Sequence, residues 1–227
     1  MNNWENNKVI LNELGVLGGQ VPNDVLTWLK KIISKDRHEN MRYNKSLAGH
    51  IKDEFLIRNE LRNVGVVEKN DIGYTNYNNY VVKMCFNNFF ENFWDKYVIL
   101  SEPRNLEIQS TWINYQKKYE FNPPHHHTGI FSWVIFMKIP YNLEDEVNYF
   151  TTAFENDHTS KFGFICLNPS QSNISINGGI NVQYLDVDKS YENKIILFPS
   201  NMIHFVHPFY TSNEERITIS GNVHFKV

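Results

Sequence analysis

Apolar positions recur at helical spacing through the first hundred residues and at strand spacing after that. Following the helix-start signal Pro22-Asn23-Asp24, the residues Val25, Leu26, Leu29, Ile32 and Ile33 share one side of a 3.6-residue repeat, and the polar run Ser34-Lys35-Asp36-Arg37 ends it. This predicts an amphipathic helix. From about Asn79 to Val98, Val81, Val82, Cys85, Phe86, Phe89, Phe90, Phe93, Trp94 and Tyr97 make an apolar face wider than one stripe, which predicts a helix laid against a sheet with its aromatics in the core. Beyond residue 100, short alternating runs predict strands at about 107–116, 130–139, 147–154, 162–168, 174–186, 194–198, 203–207 and 215–225. Turn chemistry separates them, at Asn168-Pro169-Ser170, Asn177-Gly178-Gly179 and Thr211-Ser212-Asn213, and no helix-length pattern intervenes. An antiparallel sandwich or barrel follows, with residues 1–104 as a helical supporting region and 105–227 as a β domain, the two forming one compact unit.

Composition narrows the class. Of the 227 residues 41% are hydrophobic and 15% aromatic, enough for a sizeable core, and the net charge of −3 gives no electrostatic footprint for duplex nucleic acid or an anionic membrane. The two cysteines, Cys85 and Cys166, lack metal-type or redox-type spacing and suit a reducing compartment. The opening residues show no basic segment leading into an apolar core, and no apolar run reaches membrane-spanning length, so the expectation is a soluble cytoplasmic protein.

The chemistry is concentrated in two segments. In Pro123-Pro124-His125-His126-His127-Thr128-Gly129, an extended backbone puts His125 and His127 on one face and His126 on the other. A third imidazole comes from Phe198-Pro199-Ser200-Asn201-Met202-Ile203-His204, and three ligands on one side of a metal leave its other side open for chemistry. His207 competes with His204, but its neighbour Pro208 suits a strand exit. Twelve residues past His204, the run Arg216-Ile217-Thr218-Ile219-Ser220 alternates, so Arg216 and Thr218 share a face. A strand arginine alone usually pairs with a nearby acid; beside a metal, its guanidinium and the Thr218 hydroxyl suit a ligand carboxylate. Trp112 and Asn114 alternate inward on the preceding strand and are candidate pocket residues, or ordinary core and turn residues.

These residues carry a resemblance. The chain resembles the Fe(II)/2-oxoglutarate-dependent oxygenase superfamily, in its phage-type, prolyl-hydroxylase-like branch, through Trp112-Ile113-Asn114, His125-His126-His127-Thr128-Gly129, Phe131-Ser132-Trp133-Val134, Leu197-Phe198-Pro199-Ser200, His204-Phe205-Val206 and Arg216 to Asn222. Lys45-Ser46-Leu47-Ala48-Gly49-His50-Ile51 looks like the leader of the same phage-type proteins. The resemblance covers roughly residues 105–225 and implies a double-stranded β-helix, a jelly-roll barrel with supporting helices. It further implies Fe(II) on His125, His127 and His204, 2-oxoglutarate chelated to that metal with its far carboxylate on Arg216 and Thr218, and dioxygen as co-substrate. The products would be succinate, CO2 and a hydroxylated protein side chain or small molecule; a nucleic acid ranks below these because no basic stripe is present. If the chain is viral, the location implied is the host cytoplasm.

The chain departs from the superfamily pattern at one position. The usual motif is His-x-Asp or His-x-Glu, and neither occurs here; His127 stands in the carboxylate's place and leaves one more positive charge at the metal. Glu120, across the Pro123-Pro124 bend, is an alternative carboxylate source. Two other classes stay open on the residues: a cupin-like three-His metalloenzyme that does not use 2-oxoglutarate, which Pro199 to His204 also resembles, and a non-catalytic jelly-roll binding or structural module. Substrate discrimination is expected in loops such as 55–80 and 140–162.

Overall fold

A computed structural model describes residues 8–11, 15–33, 42–57, 72–92, 106–150, 158–167 and 180–225. Its strands form two antiparallel sheets. The larger has the order β1(Lys8–Leu11), β2(Val16–Gln20), β9(Lys194–Pro199), β6(Phe131–Lys138), β11(Arg216–Phe225), β4(Leu106–Gln116), β3(Asp53–Ile57). The smaller has the order β5(Asn122–His125), β10(Ile203–Val206), β7(Phe162–Leu167), β8(Ile180–Leu185). From β4 onward the chain shuttles between them, as a jelly roll requires, with the hairpin β7–β8 kept within the small sheet. The sheets share no ladder among the described residues, so they face each other as an open sandwich.

Strand alternation sorts side chains between two environments. On β6, Phe131, Trp133, Ile135 and Met137 point to an outer core, while Val134 and Phe136 point between the sheets to meet Phe162, Phe164 and Phe198. On β11, Ile217, Ile219 and Val223 take the outer side, leaving Arg216, Thr218 and Ser220 for the space between the sheets.

Two helices cover the outer face. Helix α1(Asn23–Ile33) carries Asp24 in its first turn and Lys30 and Lys31 in its last, which complement the helix dipole, and it buries Val25, Leu26, Trp28, Leu29 and Ile32. Helix α2(Ile72–Asn92) begins seven residues before its predicted start and lays Tyr77, Tyr80 and Val81 into the same core. Tyr77 stacks on Trp28 at 5.3 Å and shares a hydrogen bond of 3.1 Å with Thr111 of β4, which ties both helices to the sheet.

Three features differ from the expected pattern. The N-terminal region contributes strands β1, β2 and β3 as well as helices. These runs are short and mixed in polarity, and the edges of a sheet built elsewhere in the chain supply their ladders. The strand expected over 147–154 is replaced in its described part by a short helix, α3(Leu143–Val147), followed by non-strand residues 148–150. Glu144, Asp145 and Glu146 crowd its first turn, where negative charge favours helix over strand. Finally, strand β5 forms across Pro123 and Pro124, which is possible because it lies at a sheet edge. The predicted strand residues 174–179 and the helical residues beyond 92 lie outside the described residues. None of the described helices is long and apolar enough to cross a membrane.

Candidate active site

His125 and His204 are direct partners across the β5–β10 ladder, and His127 follows two residues on, where its amide donates to the Ser200 carbonyl at 2.8 Å. The ring centroids of the three histidines lie 4.3 to 5.0 Å apart, and one potential ligand nitrogen from each falls within 4.8 Å of the others. His126 is exposed. His125 Nδ1 lies 2.7 Å from the Pro123 carbonyl and His204 Nδ1 3.0 Å from the Met202 carbonyl. A carbonyl only accepts, so each Nδ1 carries the hydrogen and each Nε2 keeps its lone pair.

Burial holds all three rings neutral. It lowers the pKa of His125, takes that of His127 down to about 4 with help from neighbouring His125, and takes that of His204 well below the ordinary value. Phe162 stacks parallel to His204 at 5.8 Å, Phe198 sits edge-on at 4.8 Å, and Trp112 lies 5.5 Å from His127. Neutral imidazoles with oriented lone pairs in an apolar wall fit a divalent transition metal.

The triad opens on a cavity between the sheets. The inner residues of β4 and β11 form its opposite wall, with Gln116 paired to Arg216, Asn114 to Thr218 and Trp112 to Ser220. Arg216 is only 2% exposed. Its five N–H groups are all taken: Gln116 Oε1 accepts from Nε at 3.1 Å and Nη2 at 2.6 Å, Tyr141 Oη and the Ser160 carbonyl accept from Nη1 at 2.9 and 2.8 Å, and the His207 carbonyl accepts from Nη2 at 3.2 Å. Tyr141 and Phe209 rings lie under the guanidinium at 5.8 and 5.6 Å. Every one of these partners is neutral, and among the described residues no carboxylate pairs with Arg216. A buried cation held only by dipoles calls for a counter-charge, and the cavity beside it fits an anion such as a small dicarboxylate.

The remaining sequence candidates fall in different places. Thr218, Trp112 and Asn114 line the cavity. Asn114 Nδ2 donates to Thr218 Oγ1 at 3.1 Å, while its Oδ1 is buried with no partner among the described residues. His207 stands apart from the triad, its ring beside Tyr184, His158 and Phe205, and it serves Arg216 through its carbonyl. Glu120 is held at the turn after β4, accepting from the Lys52 and Lys117 amides at 3.1 and 2.8 Å. It is not in the metal-ligating cluster.

Sequence reasoning missed Gln116 and Tyr141, which hold Arg216, and Glu54, a cavity carboxyl only 1% exposed. Burial, with the charge of Glu120 adding to it, raises the Glu54 pKa to about 8. The available signal was the alternation of Asp53-Glu54-Phe55-Leu56-Ile57, which places Glu54 opposite the apolar Phe55 and Ile57.

Comparison with known proteins agrees with this geometry. The family described as "Putative 2OG-Fe(II) oxygenase" matches residues 110–222, a span that holds all three histidines, Arg216 and Thr218. The chain belongs to the Fe(II)/2-oxoglutarate-dependent oxygenase superfamily. It is therefore an oxidoreductase with Fe(II) and 2-oxoglutarate as cofactors, and the neutral triad and the uncompensated Arg216 fit that pair.

Among solved structures, this oxygenase resembles a prolyl-4-hydroxylase from Pseudomonas putida at a TM-score of 0.56, with 9% identity over 94% of each chain. That likeness establishes the jelly-roll fold. Looser matches, each at a TM-score of 0.46, are a Trichoplax adhaerens prolyl hydroxylase in complex with a hypoxia inducible factor peptide fragment and HygX of Streptomyces hygroscopicus with nickel and 2-oxoglutarate bound. The first shares 11% identity over 95% of this chain and 84% of its own, the second 8% over 96% and 85%. No curated protein matches by sequence.

Proposed function

We propose that this oxygenase hydroxylates a carbon of a protein side chain or small molecule at a metal held by His125, His127 and His204. The far carboxylate of 2-oxoglutarate is held at Arg216 and Thr218. One atom of dioxygen enters the substrate C–H bond as hydroxyl and the other enters succinate, with loss of CO2, so the overall change balances without an external reductant. Iron with 2-oxoglutarate supplies the activation of dioxygen. The chain contributes the orientation of three neutral imidazoles, an apolar wall that excludes water, and a buried cation.

The observation that carries the reading is that a neutral three-His cluster and a buried arginine, with no acid partner among the described residues, face the same cavity. A three-His metalloenzyme that does not bind 2-oxoglutarate leaves the buried charge of Arg216 without a counter-ion among the described residues. His127 takes the place of the usual carboxylate, so the reading commits to a three-His iron site.

Anaerobic Fe(II) titration followed by assay of 2-oxoglutarate-dependent succinate release tests it. His127→Ala should lose most metal affinity and succinate release, while His126→Ala, on the opposite face, should change little. Unchanged affinity in His127→Ala overturns the three-His assignment, and equal loss in both variants means that the face assignment is wrong.

A further inference from the structure

We propose that Glu54 is the recognition group for the primary substrate, and that it selects a molecule carrying a protonated nitrogen, an ammonium or guanidinium, close to the carbon to be hydroxylated. This inference rests on the oxygenase reading and assigns the part of its cavity that metal and 2-oxoglutarate leave unused.

The cavity contains three chemically distinct places. The histidines on β5, β10 and the following loop form one, and Arg216 with Thr218 on β11 forms the second. The third is Glu54, two strands away from Arg216. Glu54 pairs in register with Asn114 and Asn114 with Thr218, so a polar row crosses β3, β4 and β11 and ends at the carboxyl. A dicarboxylate seated at Arg216 gains nothing from a second carboxyl, and an acid is out of place there unless it serves another ligand.

The local cations are committed elsewhere. Asp53 faces the other side of β3 and takes both Arg42, at 3.3 Å, and Lys117, at 3.0 Å. The Glu54 carboxyl receives only one long hydrogen bond among the described residues, from Asn44 Nδ2 at 3.3 Å. Two further acceptors in the same cavity, Asn114 Oδ1 and Asn122 Oδ1, are buried without partners among the described residues. A carboxyl with two amide oxygens accepts hydrogen bonds, and an ammonium or guanidinium offers several N–H donors to fill them.

The chain backbone closes over this end. A Cβ on Gly49 would run into Asn122 Oδ1 and lie 2.8 Å from Glu54 Oε1, so the glycine lets the segment pack directly on both acceptors. Burial, with the charge of Glu120 beside it, raises the pKa of this carboxyl to about 8, and a cation bound there would exchange its proton for an ion pair.

The test uses the full chain loaded with redox-inert Zn(II), with and without 2-oxoglutarate, and calorimetric binding of four probes. These are Nα-acetyl-lysine amide and Nα-acetyl-arginine amide, each against its neutral counterpart, Nα-acetyl-norleucine amide and Nα-acetyl-citrulline amide. At least one cationic probe should bind about tenfold or more tightly than its counterpart. Glu54→Gln, which keeps the shape and removes the charge, should abolish that preference with Zn(II) and 2-oxoglutarate affinities unchanged. Gly49→Ala displaces the two side-chain ends and should weaken the cationic probe while leaving the neutral one unaffected. No binding by either cationic probe, equal binding of charged and neutral members, or a preference that survives Glu54→Gln overturns the proposal, and so does a loss of Zn(II) affinity in Glu54→Gln, which would make Glu54 a ligand. Failure of the metal-loaded parent to bind 2-oxoglutarate sinks the oxygenase reading instead, and the probe preference measured with Zn(II) alone still decides the role of Glu54.

Discussion

Arg216 shows how much a single residue's surroundings decide. Its guanidinium is saturated by neutral acceptors, so its charge is positioned but not cancelled. Anchoring a carboxylate there requires one of these partners to yield a donor, and Gln116 is the natural one because its Oε1 accepts twice. Arg216→Ala should weaken 2-oxoglutarate binding to the metal-loaded protein by about 2–5 kcal/mol, the cost of removing a buried charged partner. Calorimetry reads this directly, and affinity equal to the parent would remove Arg216 from the site. The arginine and the Arg-x-Thr alternation are visible in the sequence. Its four acceptors are not, since two are backbone carbonyls brought in by distant loops.

Among the elements, β11, an interior strand of the large sheet, carries the most consequence. It pairs with β4 on one side and β6 on the other, and its inner face supplies the cavity's polar wall. Its outer face is fixed by Gly221, where an added Cβ would meet the Trp133 indole and the Ser110 carbonyl. A backbone carbonyl cannot move aside as a side-chain tip can. Gly221→Ala should therefore destabilise the fold by about 1–3 kcal/mol. Urea unfolding checks this, and an unchanged midpoint would show that the ring and ladder adjust freely.

The short helix α3 is a second case of an element serving the site from outside it. Fully buried Glu146 accepts from the amides of Tyr210 and Thr211 at 2.7 to 3.0 Å, and this holds the loop that carries Phe209 against Arg216. The sequence pattern suggests a strand near this region because Tyr149, Phe150 and their neighbours are aromatic or β-branched. Those aromatics instead cluster around Tyr210 on the surface.

For the molecule as a whole, two sets of buried titratable groups pull stability in opposite directions with pH. Glu54 has a folded pKa of about 8 against an ordinary value of 4.5, so the folded state binds the extra proton between those values and stability falls as pH rises through that window. The full effect is on the order of a few kcal/mol. The cavity histidines act oppositely, since their folded pKa values are depressed and stability rises with pH up to about their ordinary value of 6.5. Comparing Glu54→Gln with the parent isolates the first term: the variant's melting temperature should gain on the parent's steadily from pH 5 to pH 8. A constant difference would mean that Glu54 titrates normally. We further propose that residues 1–104 and 105–227 unfold together, because β2 and β3 ladder directly onto β9 and β4; the same melts should show one transition.

By itself the sequence determined what depends on neighbouring residues: the helix over 23–33, strands near 106–116, 131–138, 194–199 and 216–225, and which histidines and which of Arg216 and Thr218 share a face. These follow from periods of 3.6 and 2, which are local properties of the backbone. The tertiary structure decided what depends on residues far apart in the chain. The pairing of His125 with His204, the row from Glu54 through Asn114 to Thr218, and the strands β1 to β3 all need ladder registers set by the whole sheet. The same holds for charge: the Glu54 pKa is raised and no acid among the described residues pairs with Arg216 because burial and partners are sums over many non-neighbouring groups, and no local spacing encodes such a sum.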